Sequence, residues 1–574
     1  MSLASPSHPF PLRFQHRQAA RPSPVRRLWD RSLDHYPETS ARYWYLSLVV
    51  LSTIILYYEF YVQSAVTPSI VAEYHMTWPF FVYIVVVGNL VGAFASLIAG
   101  LADRWGRANL VVYGLLVTGL IVLVGMPNAP NMWVYGVLYG VLGFVEGVML
   151  VATPALVRDF SPQMGRGSAM GLWTMGPVIA SLTVALVSSN TLGHLHAWQD
   201  QFVICGVAGM ALFAVALFGL RELSPGLRDQ LMVSIKDRQL VEARAAGIDV
   251  EESLRHPWRK IVHFDTVGSA VGIGLYLIVY YTMIAFLVAY MVTTFGYTQQ
   301  RANALGNWMW AFNAGSMVVV GLLSDRLRVR KPFIVVGIAG SAVATALFAL
   351  HATQAGTSYY TFVWILCLLA VFLGFTFAPW LAAFTETVEA RSPALTATGL
   401  AVWGWVLRLA IAGSLFVLPY VVTSMTPLME HGAQVQAVLA AHPAEVQTLS
   451  AVDSGTASKL LANPGDTGAL GTALSEISGK LHVSSSEALT RLVAVSKLPA
   501  ADLRTLSAYG TKVSNALAAS PKEWQRWWWV SFGTELMLFP FVFVMKGRWS
   551  PRRARREEEE HERMVQAEIA AMAA

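Results

Sequence analysis

The sequence has little of what a soluble protein or a metalloenzyme needs. Charged residues make up only 13% of the 574 positions, against roughly 25% in ordinary globular domains. The two cysteines, Cys205 and Cys367, lie inside apolar runs, so neither a disulfide framework nor a cysteine metal cluster is available. The histidines are scattered, and no Walker loop or nucleotide-binding glycine fingerprint stands between a strand and a helix. We therefore expect a membrane protein that is not an enzyme and holds no cofactor.

Long apolar runs are what the sequence has instead. Hydrophobic residues are 55% of the chain, and twelve stretches are long and apolar enough to cross a bilayer as helices. The predicted spans are 44–66, 78–100, 109–126, 131–156, 168–189, 200–221, 267–293, 303–322, 332–351, 359–383, 394–424 and 524–545. The sequence therefore predicts an all-α membrane protein with twelve transmembrane helices.

The distribution of lysine and arginine predicts the orientation of these spans. Seven arginines precede the first span, seven basic residues follow the last, and eight lie in 221–266. The short loops on the opposite side hold only Arg301. By the positive-inside rule, both termini are expected in the cytoplasm and the protein in the cell (inner) membrane. A net charge of +6 is modest for a nucleic-acid binder, so the expected partner is the lipid bilayer.

The polar segments divide the chain into regions. The linker between the two halves, 222–266, has alternating charges that predict a solvated amphipathic helix. The long insert before the last span, 425–523, has helical periodicity that is broken at 463–466, 497–500 and 519–522. We expect the insert to form a small helical cap. The predicted regions are a cytoplasmic tail (1–43), an N-terminal bundle (44–221), a cytoplasmic linker (222–266), five helices of a C-terminal bundle (267–424), an extracytoplasmic helical insert (425–523), the last span (524–545) and a second cytoplasmic tail (546–574).

Two short patterns occur once in each half of the chain. GLADRWGR (100–107) recurs loosely as GLLSDRLR (321–328), each at the inside end of the second span of its half. SAMGLWTMG (168–176) recurs as TATGLAVWG (396–404), each opening the fifth span. Matching loops at matching places predict two six-helix bundles related by an axis normal to the membrane.

The first repeated loop resembles the signature loop of the major facilitator superfamily, G-x-x-x-D-R-x-G-R. The glycine stands one place closer to the aspartate than in that pattern, and Ala108 replaces the second basic residue. The resemblance implies the fold of that superfamily and a loop that closes the inside face by pairing with neighbouring helix ends. The gating residues it implies are Gly100, Asp103, Arg104, Gly106 and Arg107, with Asp325 and Arg326 in the second copy.

Four charged residues lie inside spans and away from their ends: Glu59, Glu146, Arg408 and Glu535. Such charges are costly in a bilayer and are usually kept for function. We interpret Glu59 and Glu146 as proton-coupling acids, because a desolvated carboxyl can load and release a proton. Glu535 follows three tryptophans at the end of the last span, and we expect a structural partner for it.

Arg408 lies about twelve residues into its span and hence near mid-membrane. Its planar guanidinium can hold a carboxylate by two parallel hydrogen bonds, and Trp405 could stack on a ring-bearing substrate beside it. Some anion carriers of the superfamily also place a basic residue in the eleventh span, so the resemblance favours a substrate anchor. The alternative is a structural ion pair with Glu146 or Glu535.

Polar and aromatic stripes run along three spans. The stripe of the first span contains Glu59 and Gln63, that of the fourth contains Tyr139 and Glu146, and that of the eighth contains Asn307 and Asn313. The pattern is typical of the walls of an aqueous cavity, although Asn and Tyr side chains also form hydrogen bonds between membrane helices. Tyr276 and Tyr280, one turn apart in the seventh span, could line the cavity or pack. The candidate substrate-binding residues are therefore Arg408, Trp405, Asn307, Asn313, Tyr276, Tyr280 and Tyr139.

These features together predict a secondary active transporter that works as a monomer. The expected substrate is a small organic anion, a carboxylate, moved with protons by alternating access. One alternative is efflux of a hydrophobic or cationic compound. It is disfavoured because the superfamily's proton-coupled drug exporters carry an arginine in the fourth span where this chain has Tyr139. A second alternative is a transporter-like sensor whose insert binds a partner.

Overall fold

The computed structural model describes residues 29–97, 105–161, 166–228, 262–390, 396–463 and 465–553, with scattered positions from 555 to 567. Because lipid offers no hydrogen bonds, a chain that crosses it must satisfy its backbone internally, and the spanning segments are accordingly helices. The first half contains α1 (Thr39–Tyr61), α2 (Thr67–Glu73), α3 (Trp78–Leu97), α4 (Arg107–Leu120), α5 (Met132–Phe160), α6 (Arg166–Thr174), α7 (Gly176–Thr191) and α8 (Gln199–Gly219).

The second half continues the series. Its first five spans are α9 (Phe264–Tyr276) together with α10 (Ile278–Phe295), then α11 (Gln299–Leu327), α12 (Lys331–His351), α13 (Tyr359–Glu389) and α14 (Thr396–Val421). The insert contains α15 (Met425–Ala441), α16 (Pro443–Ala451), α17 (Ser454–Ala462), α18 (Thr467–Leu481), α19 (Ser485–Ser496) and α20 (Ala500–Thr505). The last span is α21 (Thr511–Leu536) with α22 (Phe539–Val544).

Twelve spanning segments are present, as predicted. In the described part of the chain, ten helical segments are long and apolar enough to cross a membrane by length and composition. The other two are the fifth span, divided into α6 and α7 around Met175, and α11, whose asparagines and glutamines lower its hydropathy. The spans form two six-helix halves, which contact each other chiefly where α11 packs on α7 and where α14 packs on α3.

Glycines allow α3 and α5 to approach closely within the first half. A Cβ added to Gly143 would lie 2.5 Å from the carbonyl oxygen of Gly88, and one added to Gly147 would clash with the carbonyl oxygen of Gly92. Small residues let helix backbones meet in this way in membranes. Gly143 and Gly147 therefore lie on the face of α5 that contacts α3.

The insert is helical and has small apolar cores of its own. Leu428 and Val435 of α15 pack against Val513 and Ala516 of α21, and a separate cluster includes Ala473 and Ile477. Helices end and begin at 463–466 and 497–500 as predicted, but the helix break predicted at 519–522 is wrong. Pro521 lies inside α21, which runs without interruption from the insert into the last span.

The tail before α1 is tied to the start of the linker after α8. Strand β1 (Ser32–Leu33) pairs in parallel with β2 (Glu222–Leu223). Arg31 is buried, its Nε donates to Oδ1 of Asn109 at 3.0 Å, and its Nη1 donates to the carbonyl oxygen of Leu217 at the end of α8. The linker therefore begins as a strand. Its charge-patterned run, 236–256, on which the amphipathic helix is predicted, lies outside the described residues.

Candidate functional site

A cavity of about 1530 Å³ lies between the two halves. Its wall comes from α1, α3, α5 and α6 on one side and from α10, α11, α13 and α14 on the other. It extends to Arg158, Asp325, Arg330 and Glu389 at one end of the helices, which we call the basic end. The opposite end, which carries α15–α20, we call the insert end.

Hydrogen bonds between the halves close the insert end. Asn303 Nδ2 donates to the carbonyl oxygen of Ala65 at 3.0 Å, and Gln299 Nε2 donates to Oγ of Ser69 at 2.7 Å. The insert contributes as well, because Glu430 of α15 accepts a 3.3 Å hydrogen bond from the backbone N–H of Trp78, where α3 begins. Among the described residues, the cavity thus extends to the basic end, whereas hydrogen bonds join the two halves at the insert end.

One ion pair crosses the cavity from half to half. Nη2 of Arg408, on α14, lies 2.9 Å from both carboxylate oxygens of Glu146, on α5. Both residues line the cavity, and their side chains are 14% and 3% exposed, respectively. Of the two partners proposed for Arg408 from the sequence, Glu146 is the one observed. Glu535 instead accepts a hydrogen bond from Oγ1 of Thr345 within the second half.

Three further residues surround this pair. Gly92 of α3 lies against it, since a Cβ added there would be 2.5 Å from Nη1 of Arg408 and 3.0 Å from Oε2 of Glu146. Tyr57 and Tyr281 line the cavity within electrostatic range of both charges. The sequence analysis missed them, although the runs IILYYEF (54–60) and LIVYYTM (277–283) place a tyrosine pair in the first span of each half.

Two of the other predicted substrate-binding residues lie at the cavity. Tyr139 lines it and stacks on Phe60 with ring centroids 5.1 Å apart. Trp405 lines it and meets Phe94 of α3 edge to face at 5.5 Å. Tyr139 was expected there from the stripe of the fourth span, and Trp405 from its place beside Arg408.

Four predicted substrate-binding residues do not line this cavity. Nδ2 of Asn307 donates to Oγ of Ser189 across the halves, and Nδ2 of Asn313 donates to the carbonyl oxygen of Ala370. The hydroxyl of Tyr276 lies within hydrogen-bond distance of the hydroxyls of Ser341 and Thr376, and Tyr280 packs edge to face on Trp310. These residues take the interhelical role that was the alternative interpretation.

Glu59 is also absent from the cavity wall. It is 1% exposed, and neither carboxylate oxygen has a hydrogen-bond partner among the described residues. Its side chain faces Gly209 of α8. The structure therefore brings Glu146 and Arg408 together at the cavity and leaves Glu59 inside the first half.

The gating loop is only partly visible, because Gly100, Asp103 and Arg104 lie outside the described residues. Gly106 has a positive φ of 87° that suits glycine. Arg107 pairs with Asp159 at the end of α5 at 2.9 Å, and its backbone N–H donates to Glu222 at 2.8 Å. Burial raises the pKa of the Glu222 carboxyl, and this hydrogen bond opposes that rise.

The second half has an equivalent arrangement. Asp325 pairs with Arg330 at 2.6 Å, and Arg330 also pairs with Glu386 near the end of α13 at 3.1 Å. In each half, then, an arginine at the start of the third span binds a carboxylate at the end of the fourth. Arg326, predicted as the basic partner, is exposed beside Asp325. Asp159, Glu222, Arg330 and Glu386 were missed, because their roles depend on helix ends that meet only in the fold.

Comparison with known proteins identifies the family. The sequence model described as Major Facilitator Superfamily matches residues 49–425. The putative metabolite transport protein YncC of Bacillus subtilis (strain 168) is 24% identical over 310 residues, which are 50% of this chain and 65% of that protein. The probable anion transporter 3, chloroplastic, of Oryza sativa subsp. japonica is 24% identical over 378 residues, 61% of this chain and 71% of that protein.

A solved structure shows the same fold. The crystal structure of a bacterial homologue of the human lysosomal transporter Spinster, in an inward-facing and unoccupied conformation, aligns with a TM-score of 0.55 at 16% identity. The alignment covers 90% of this chain and all of that one. With the twelve spans, the two halves and the central cavity, the family match leads to one conclusion: this chain belongs to the major facilitator superfamily of transporters.

Proposed function

We propose that the protein is a secondary active transporter that moves a small organic anion, a carboxylate, together with protons by alternating access. One observation carries the proposal: an arginine and a glutamate from opposite halves form an ion pair inside the cavity between them. A substrate that binds there touches both moving parts. Its binding can therefore change the balance between the two access states.

The chemistry of the pair favours an anion over a cation. Arginine is not deprotonated in proteins, whereas a glutamate can take up a proton. The pair can thus change from neutral to positive but not from neutral to negative. A positive site at mid-membrane attracts a carboxylate, and the proton on Glu146 is what creates it.

The same pair supplies the coupling. When a substrate carboxylate takes the place of Glu146 on Arg408, an ionised Glu146 would remain desolvated and unpaired, at a cost of several kcal/mol. Protonation removes that cost, so the loaded site holds one anion and one proton. Of the two predicted coupling acids, Glu146 fits this role because it lines the cavity, whereas Glu59 does not.

Two further points support the proposal. The excess of basic residues at the basic end assigns that end to the cytoplasm by the positive-inside rule, so the open cavity would face the cytoplasm of a cell whose inner membrane holds the protein. Among the relatives, the rice protein is named a probable anion transporter.

Efflux of a hydrophobic or cationic compound is the second candidate, favoured by the aromatic part of the cavity wall around Trp403 and Phe377. A cation, however, would have to bind Glu146 while Arg408 stays charged and close. The like charge works against such binding.

The decisive test is transport by purified protein in proteoliposomes. Radiolabelled benzoate should accumulate inside the vesicles when the proton gradient is directed inward, and it should exchange across the membrane without a gradient. Glu146→Gln should abolish accumulation but keep exchange, because the loaded site no longer needs a proton. Binding without accumulation would support the sensor instead, and gradient-driven accumulation that survives in Glu146→Gln would refute coupling through this residue.

A further inference from the structure

The charges of the cavity wall limit the charge of the substrate. The described lining residues include three arginines, and two of them, Arg158 and Arg330, stand at the basic end. Arg408 is the one described lining cation at depth, and Glu146 already compensates it. A dianion such as a phosphate ester or a dicarboxylate would bring a second charge with no deep cation to receive it. The deep site therefore suits a single negative charge.

Aromatic rings lie around Arg408. Trp405 lies one turn before it on α14 and lines the same cavity, and Tyr57 and Tyr281, on the first spans of the two halves, lie within electrostatic range of its charge. Aromatic pairs in offset or edge-to-face contact gain energy beyond the area that they bury. A flat ring bound beside the guanidinium would meet such partners from both halves.

We propose that the substrate is an aromatic monocarboxylate, whose carboxylate binds Arg408 while its ring packs among Tyr57, Tyr281 and Trp405. The inference rests on the proposed function and adds two properties of the substrate, namely that it carries a single negative charge and that an aromatic ring bears the carboxylate. It separates this protein from carriers of sugar phosphates, dicarboxylates and aliphatic acids.

Competition binding tests both parts of the inference. Radiolabelled benzoate is bound to the purified full-length protein at pH 6 and displaced by three compounds that each change one property. Cyclohexanecarboxylate keeps the charge and lacks the aromatic face, phthalate adds a second charge, and benzamide has none. Benzoate should bind about threefold to tenfold tighter than cyclohexanecarboxylate, and phthalate and benzamide should compete at least about tenfold less well than benzoate.

Variants assign the effect to named side chains. Trp405→Leu should bring the ratio of benzoate to cyclohexanecarboxylate affinity close to one while carboxylate binding persists. Trp364→Leu is the matched control, because Trp364 of α13 is 73% exposed and absent from the cavity wall, and this variant should keep the full ratio. Arg408→Lys should weaken both carboxylates together.

Each outcome has one meaning. Equal affinity for benzoate and cyclohexanecarboxylate would refute the aromatic part of the inference and leave the carboxylate transporter intact. Strong competition by phthalate would refute the single charge. If a folded protein bound neither carboxylate, the proposed function itself would fail, and the inference with it.

Discussion

Glu146→Gln should convert a pH-dependent anion site into a permanent one. In the wild type, Nη2 of Arg408 is 2.9 Å from both carboxylate oxygens of Glu146. At an effective dielectric constant of about 20, a pair at roughly 3 Å is worth about 5 kcal/mol before desolvation is subtracted. A substrate carboxylate must displace this internal competitor, so its removal should raise affinity for benzoate at pH 7.5 by about tenfold to a hundredfold, or about 1.4 to 2.8 kcal/mol.

The same substitution should lower the stability of the substrate-free protein. Breaking a buried pair typically costs about 3–5 kcal/mol, because the remaining charge stays buried. The side chain of Arg408 is 14% exposed to the cavity, so we expect a smaller loss, about 2 kcal/mol. A saturating carboxylate should restore the melting temperature, and the ligand-induced shift should be larger in the variant than in the wild type.

Thermal unfolding and equilibrium binding between pH 5.5 and 8.5 measure both effects. The wild type should bind benzoate more weakly as pH rises, whereas Glu146→Gln should bind it with nearly constant affinity. Glu535→Gln is the matched control, since it changes another buried glutamate that lies outside the cavity, and it should leave the pH profile unchanged. The reasoning fails if Glu146→Gln binds benzoate no tighter than the wild type and keeps its pH dependence.

Four other expectations follow from the structure and the sequence. Gly92→Ala should displace the guanidinium that binds the substrate, since the added Cβ would lie 2.5 Å from Nη1 of Arg408, and should reduce benzoate affinity by about tenfold or more. Gly140→Ala, whose Cβ would meet nothing within 4 Å, should bind like the wild type, and equal losses in both would count against the tight contact at Gly92. Asp103→Asn should slow uptake but change affinity by less than about tenfold, and loss of binding in a folded variant would contradict a gating role. Arg31→Ala should lower the free energy of unfolding by about 2 kcal/mol, as measured by thermal melting. An unchanged melting temperature would contradict a stabilising role for the hydrogen bonds of Arg31. Replacement of 443–505 by a short flexible linker should preserve membrane insertion and uptake, since the core of that region is separate from the contact of α15 with α21; lost flux in a folded variant would give it a role in transport.

The sequence was sufficient for the fold and for the charged centre of the site. The spans could be predicted because apolar length is a property of each segment alone. Arg408 and Glu146 could be singled out for a similar reason, since a charge deep in a span is costly wherever its helix stands. That these two meet, and that Glu535 binds Thr345 instead, depends on how the helices are arranged around the cavity.

The orientation of the polar stripes could not be read in the same way. A stripe at helical spacing shows that one face of a helix is polar, but that face can point to the cavity or to a neighbouring helix. On α11 it points to neighbours, where Asn307 bonds Ser189 and Asn313 bonds the backbone of α13. On α5 the stripe is divided, because Tyr139 and Glu146 line the cavity while the hydroxyl of Tyr135 donates to Gln63, just after α1.

The pairing of β1 with β2 has a consequence for biogenesis. The partners of β1 and of Nη1 of Arg31 lie at the end of α8 and just after it, so they leave the ribosome only after six spans have been synthesised. β1 must therefore remain unpaired until the sixth span and β2 have been synthesised, and its pairing then joins the segment before the first span to the end of the sixth. A bulky fusion placed directly before Trp29 should delay this closure, and pulse-chase proteolysis of truncated nascent chains should show the tail becoming protected only once β2 has emerged.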